Sequence, residues 1–247
     1  MIIYLFLQLA TAFALVSPFP SEVENLNIPN SHIIEDKSGT LIRGMRPRTY
    51  QDISELLNIG ITDVIVFKDS KLEDKTTEQE ITMLEKAGMK RKNITVIPFR
   101  WKEAESFETA CLQTMEALTL MREVAQSNDR NLFFHCTVGE DRTGYLSAMY
   151  RILYQGIDPV DAWKNEMCEN GYAEGNPQKP AEVVAEVHKN VSVIYQKMLH
   201  KVRFGYISGK NLDKTECSFD PERSSKFKLS KKFSKCKESS KYDPTIE

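Results

Sequence analysis

The sequence predicts an α/β fold, a central, mostly parallel sheet flanked by helices on both faces. Two observations carry that expectation. Residues 61–67, 94–99 and 132–134 are short, largely apolar runs rich in β-branched and aromatic side chains, the pattern of strands covered on both sides. Segments of helical spacing separate them, and strands that alternate with helices build parallel crossover units.

The elements follow in chain order. Residues 33–42 alternate enough for one or two short strands about a turn at Lys37, Ser38 and Gly39. Thr49 offers an N-cap to a helix through Leu57, and Gly60 stops it. The strand 61–67 belongs at the sheet centre. Thr76 or Thr77 caps a helix over 78–87 with Gly88 at its end, and 94–99 forms the next buried strand. Ser106 opens a long helix to about Ala125, and Asn128, Asp129 and Arg130 turn the chain into the strand that carries His135 and Cys136. From Tyr145 an amphipathic helix is expected to Tyr154, with Leu146, Met149, Tyr150 and Leu153 on one face. A further helix runs from Pro159 to about Cys168, residues 171–180 form a loop, and 181–202 read as one long final helix.

The two ends differ in composition from the middle. Residues 1–16 are an apolar run too short to span a bilayer, closing on Ala12-Phe13-Ala14, a cleavage pattern; they read as a secretory signal. No Lys or Arg precedes the run, so an uncleaved membrane anchor is the alternative. Residues 17–41 form a leader, 42–207 the domain, and 208–247 a lysine- and serine-rich tail expected to be solvated, or else anchored to an anionic surface. A formal charge of -2 over 247 residues gives no reason to expect nucleic acid as a partner.

Export bears on the five cysteines, because an odd count in an oxidising compartment leaves at least one thiol free. Cys136 is the one whose chemistry requires it. Cys217 and Cys236 flank a basic segment and are candidates to close it as a disulfide. Cys111 reads as a buried helix residue, and Cys168 stays open between the two.

The chemistry concentrates where strand gives way to helix, at Phe133-Phe134-His135-Cys136-Thr137-Val138-Gly139-Glu140-Asp141-Arg142-Thr143-Gly144. A tight turn there aims successive backbone N–H groups into one concavity at a helix N-terminus, which favours an anion. The same field favours thiolate over thiol and makes Cys136 a competent nucleophile. Arg142 adds a planar, permanently charged fork that matches two phosphoryl oxygens.

His135, Cys136, Gly139, Arg142, Thr143 and Gly144 together resemble the signature of cysteine-dependent phosphatases, in the small dual-specificity branch of the protein-tyrosine-phosphatase superfamily. The resemblance covers roughly residues 42–167 and extends to Arg43-Gly44-Met45-Arg46-Pro47, to residues 56–65, and to Ala162-Trp163-Lys164-Asn165-Glu166-Met167. It implies two-step hydrolysis of a phosphate monoester without a metal or other cofactor. Cys136 attacks phosphorus and water then hydrolyses the phosphocysteine. The amides of Thr137, Val138, Gly139, Glu140, Asp141 and Arg142, with the Arg142 side chain, hold the phosphoryl oxygens. Thr143 places its hydroxyl on the Cys136 sulfur, and His135 fixes the turn as a structural residue.

The general acid departs from the family pattern. Relatives usually carry an aspartate on the loop after the strand equivalent to 94–99, whereas that loop here reads Phe99-Arg100-Trp101-Lys102-Glu103-Ala104-Glu105-Ser106. Glu103 is one substitute. Asp141 is the other and the favoured one, since the loop of the myotubularin lipid phosphatases also ends in Asp-Arg and the rigid turn fixes its place. Export moves the expected substrate away from phosphoprotein. The secreted, metal-free enzymes that resemble this arrangement include the tyrosine-phosphatase-like phytases, so an inositol polyphosphate is the expected substrate and a phosphoprotein the alternative. Arg46, Arg48, Lys68, Lys71, Arg100 and Lys102 lie on segments expected at the pocket rim, where a polyanion needs positive charge. A rhodanese-like or catalytically inactive phosphate-binding module is the reading from another class.

Overall fold

The computed structural model describes residues 23, 26–68, 75–100, 106–170, 181–233 and 236. Five strands form one sheet in the order β1-β2-β5-β3-β4. They are β1 (His32–Asp36), β2 (Thr40–Met45), β3 (Asp63–Phe67), β4 (Ile94–Ile97) and β5 (Leu132–Cys136). β1 and β2 pair antiparallel, and the pairings of β2 with β5, β5 with β3 and β3 with β4 are all parallel. The sheet is therefore mostly parallel, with β5 at its centre.

Helices cover both faces: α1 (Tyr50–Asn58), α2 (Lys75–Lys86), α3 (Phe107–Ala125), α4 (Asp141–Tyr150), α5 (Pro159–Ala162), α6 (Ala181–Lys189) and α7 (Val191–Arg203). Alternation along the strands divides the apolar side chains. Ile65, Phe67, Leu132 and Phe134 join the core under α3, α4 and α7, while Val64, Val66 and Phe133 pack against Ile53 and Leu56 of α1 and Leu84 of α2. Both faces of every central strand are dry, which explains the largely apolar runs. No helix among the described residues is long and apolar enough to cross a membrane.

Local signals set most boundaries. Thr49 caps α1 in a reciprocal box with Asp52, and the chain leaves through Gly60 at φ 86°. The Ser106 hydroxyl accepts from Thr109 N at 3.1 Å at the start of α3. α4 ends in a π-helical turn, Arg151–Gln155, before Gly156 at φ 68°, and a second π segment, Trp163–Glu169, continues α5.

Four expectations need correction. The helix after the catalytic turn is not amphipathic: every residue of α4 is buried, because it is sandwiched between the sheet, α3, α7 and the 163–169 segment. The long final helix is two, α6 and α7, divided at Asn190. The domain boundary drawn at residue 42 cuts through the sheet, since the strands expected over 33–42 form as β1 and the start of β2. Finally, Cys217 pairs with Cys111 and Cys236 with Cys168, not with each other. Through these bonds the stretch 208–233 is laid on the domain: Ile207 and Cys217 are buried in the main core, and Phe233 packs on Trp163. Helical spacing around Cys111 marked its burial, and burial alone does not show a bond to a residue 106 positions away. Residues 1–16, expected from sequence to be a secretory signal, lie outside the described residues.

Candidate active site

Cys136 is the last residue of β5, opposite Met45 in β2, and α4 begins at Asp141. The intervening turn therefore sits at the carboxyl end of the central parallel strand, where open α/β sheets bind ligands. Gly139 makes its closeness to β2 possible. Its φ is 76°, and a Cβ there would lie 2.5 Å from the Gly44 carbonyl, so any side chain is excluded by both conformation and contact. Gly144 plays the same part on the other side, where a Cβ would meet the Glu166 carbonyl.

The loop is held from behind by its carbonyls. Asn30 Nδ2 donates to Val138 O at 2.7 Å, and Arg43 Nη2 donates to Gly139 O at 2.7 Å and Glu140 O at 3.4 Å. In a trans peptide the C=O and the following N–H point in opposite directions. Outward carbonyls at these three residues therefore turn the N–H groups of Gly139, Glu140 and Asp141 inward, toward the concavity above Cys136.

Arg43 is itself fully buried and fixed by Glu166 through two bonds, to the carboxylate at 2.5 Å and to the main-chain oxygen at 3.1 Å. The same carboxylate accepts from Arg151 Nε at 2.5 Å and faces His32 Nε2 at 3.3 Å. Burial alone would push the Glu166 carboxyl up. The His32 contact and the two guanidinium charges outweigh it and hold Glu166 well below the usual carboxylate range. Neither Arg43 nor Glu166 was assigned a role from sequence. Arg43 did carry a signal: a charge inside the apolar strand Leu41-Ile42-Arg43 demands a buried partner.

His135 is completely buried, with Nδ1 2.9 Å from the Cys136 carbonyl and Nε2 2.6 Å from Glu80 of α2. Burial favours the neutral ring, and the Glu80 carboxylate overrides it, raising the His135 pKa. These contacts tie His135 to the turn and to α2. Glu80 gave no sequence signal, because it reads as one of several charges on an exposed helix face.

Cys136 is the one free thiol among the described residues and is 1% exposed. Burial raises its pKa and the Asp141 carboxylate adds to that. The Arg142 guanidinium and Thr143 outweigh both, so the thiol lies below its ordinary value. The Thr143 hydroxyl is buried without a hydrogen-bond partner, close enough to the sulfur to help lower the thiol's pKa. Arg142 Nη2 donates to the Thr137 hydroxyl at 3.2 Å, while its Nε and Nη1 are buried without a partner. Buried, unsatisfied guanidinium donors beside the Cys136 sulfur and inward amides form a receptor for a tetrahedral oxyanion.

The remaining candidates divide. Asp141 is buried at the first position of α4, beside the nucleophile. Arg46, Lys68 and Arg100 follow the carboxyl ends of β2, β3 and β4, the same edge as the catalytic turn. Arg48, further along, is exposed. Lys68 corrects the picture of a solvated rim: it is 5% exposed and its ammonium donates to Thr76 at 2.6 Å in the first turn of α2. Glu103, Lys71 and Lys102 lie outside the described residues.

A thiol of lowered pKa in an anion-binding turn, backed by an arginine fork and a neighbouring hydroxyl, defines the class: the chain is a cysteine-dependent phosphatase. Comparison with known proteins agrees, as residues 35–155 match the model of the tyrosine phosphatase family. Solved structures to which the chain is similar include P. aeruginosa TpbA, at 18% identity over 71% of this chain and 90% of that one, with a TM-score of 0.47. A cysteine-to-serine form of TpbA in complex with pTyr matches at 18% identity over 62% and 80%, TM-score 0.45. Kinase associated phosphatase with its catalytic site cysteine substituted by serine matches at 19% over 60% and 89%, TM-score 0.43. No curated protein matches the chain.

Proposed function

We propose that the enzyme is exported and removes phosphate from a polyanionic metabolite, an inositol polyphosphate such as phytate, through a phosphocysteine intermediate. One observation carries the chemistry: two buried, partnerless donors of Arg142 stand beside a Cys136 thiol of lowered pKa. In the first step the Cys136 sulfur attacks phosphorus in line and the ester oxygen leaves with a proton. The Arg142 fork and the inward amides match the charge on the three equatorial oxygens. In the second step water attacks the phosphocysteine, and the Thr143 hydroxyl stabilises the departing thiolate.

Asp141 supplies the proton in this reading, since it is buried beside the sulfur at a fixed helix start; Glu103 is the alternative acid. Asp141→Asn should slow hydrolysis of esters with poor leaving groups about a hundredfold or more and leave activated esters nearly unaffected. If Glu103→Gln does this instead, the role moves to Glu103.

Export and an inositol phosphate substrate rest on two supports. Two disulfides in a chain that opens with an apolar segment suit an oxidising compartment, where phosphoproteins are scarce. Arg46 and Arg100 follow strand ends at the edge of the sheet that holds the turn, where a polyanion needs positive charge. A phosphotyrosine substrate is the second reading, favoured by the family that residues 35–155 match. Specificity constants for inositol hexakisphosphate and a phosphotyrosine peptide, each with Cys136→Ser as control, separate the two. A clear preference for the peptide overturns the first, and absence of turnover on any ester would leave only a phosphate-binding module.

A further inference from the structure

Remote from the catalytic motif in sequence, the carboxyl-terminal segment builds a second charged surface. Residues 223–233 contain Arg223, Lys226, Lys228, Lys231 and Lys232 and no carboxylate, a local charge of +5 in a chain that sums to -2, which leaves -7 on all the rest. Apolar side chains alternate with the cations: Phe227 follows Lys226, and Leu229 follows Lys228. The fold fixes this stretch without burying it. Ser230 N donates to Gln196 of α7, Phe233 packs edge-on to Trp163 and Tyr195, and Cys236 is bonded to Cys168. Yet Lys226, Lys228, Lys231 and Lys232 are all exposed, and Leu229, at 54%, is the most exposed large apolar side chain among the described residues. The segment is a strap held over α7.

Between strap and helix lies a cleft of about 350 Å³ whose walls include His200, Arg203, Phe204, Lys226, Phe227 and Lys228, with no Asp or Glu. Phe204 is 42% exposed, and the Lys226 ammonium and Arg203 guanidinium stand 5.7 and 5.9 Å from its ring centre. Cations and apolar rings thus share one surface. No carboxylate pairs with Arg203, Lys226 or Lys228 among the described residues. A small free anion would be served by the charges alone. Exposed apolar side chains interleaved with them suit a partner that is negative at its surface and apolar just beneath.

We propose that this strap docks the enzyme on an anionic membrane surface. Lipid phosphates lie against Arg203, Lys226 and Lys228, and Phe204 and Leu229 reach the acyl boundary. The test is co-sedimentation of the full chain with vesicles of phosphatidylcholine containing phosphatidylglycerol, and with vesicles of phosphatidylcholine alone. Binding is expected only to the anionic vesicles and should fall as salt rises. Each lysine changed to glutamine should weaken it about fivefold, so that K226Q/K228Q/K231Q/K232Q loses on the order of a hundredfold or more. Phe204→Ser with Leu229→Ser should weaken it too, and turnover of a chromogenic phosphate ester should be unchanged in both variants, which shows that they fold. Equal binding to neutral vesicles would place the attachment at residues 1–16 and overturn the proposal. So would undiminished binding by the quadruple variant. Displacement by stoichiometric inositol hexakisphosphate, with the Phe204 and Leu229 changes neutral, would make the cleft a site for a free polyanion and also overturn it.

Discussion

Cys136 reacts because of what surrounds it, and each neighbour makes a separate prediction. Its lowered pKa means that alkylation by iodoacetamide should titrate with a midpoint below the roughly 8.5 of a free thiol. A midpoint at or above that value would remove the thiolate from the mechanism. Asp141 acts against the thiolate, so Asp141→Asn should move the midpoint lower still. Glu80 works through His135. A folded-state pKa raised above about 6.5 contributes stability that is present below that pH and lost as pH rises through the folded value. Glu80→Gln should therefore cost more unfolding free energy at pH 6 than at pH 9, in urea titrations at the two pH values. An equal cost at both would mean that the His135–Glu80 contact is not an ion pair. Of these residues, Cys136, Asp141, Arg142 and Thr143 were legible in sequence because the turn holds them within eight consecutive positions, whereas Glu80 arrives on another helix.

At the level of elements, the catalytic turn is positioned by its contacts to β2 and to the 163–169 segment. Gly139→Ala would force a Cβ against the Gly44 carbonyl at a φ that L side chains rarely adopt. The displaced loop should lose roughly a hundredfold in kcat/KM while circular dichroism stays native; wild-type activity would show that the turn tolerates movement. Glu166 is shared by Arg43, Arg151 and His32, so Glu166→Ala leaves buried guanidinium charge uncompensated at a cost of roughly 3–5 kcal/mol by chemical denaturation. Because its pKa is depressed, its contribution is present above the ordinary carboxylate value near 4 and lost as pH falls below it. Strand and helix identities followed from periodicity and caps. The even burial of α4 did not, since Leu146, Met149 and Leu153 supply a helical stripe whether or not the opposite face is also covered.

For the whole molecule, two disulfides tie the carboxyl-terminal stretch to α3 and to the segment that bears Glu166. They close loops of 106 and 68 residues, for which chain entropy gives about 4.5 kcal/mol apiece. Reduction should lower the urea midpoint accordingly and free the strap at 223–233, and an unchanged midpoint would show that the strap holds by packing alone. The α/β order, the nucleophile and its arginine were determined by the sequence itself, because each depends on residues adjacent along the chain: an apolar run, a cap, a turn motif. Tertiary structure alone decided how Asn30, Arg43 and Glu80 converge on that turn and which cysteines pair. It also decided that a lysine-rich end becomes a fixed surface. The reason is physical: these outcomes depend on distances between elements far apart in sequence, which only the packing of both sheet faces sets.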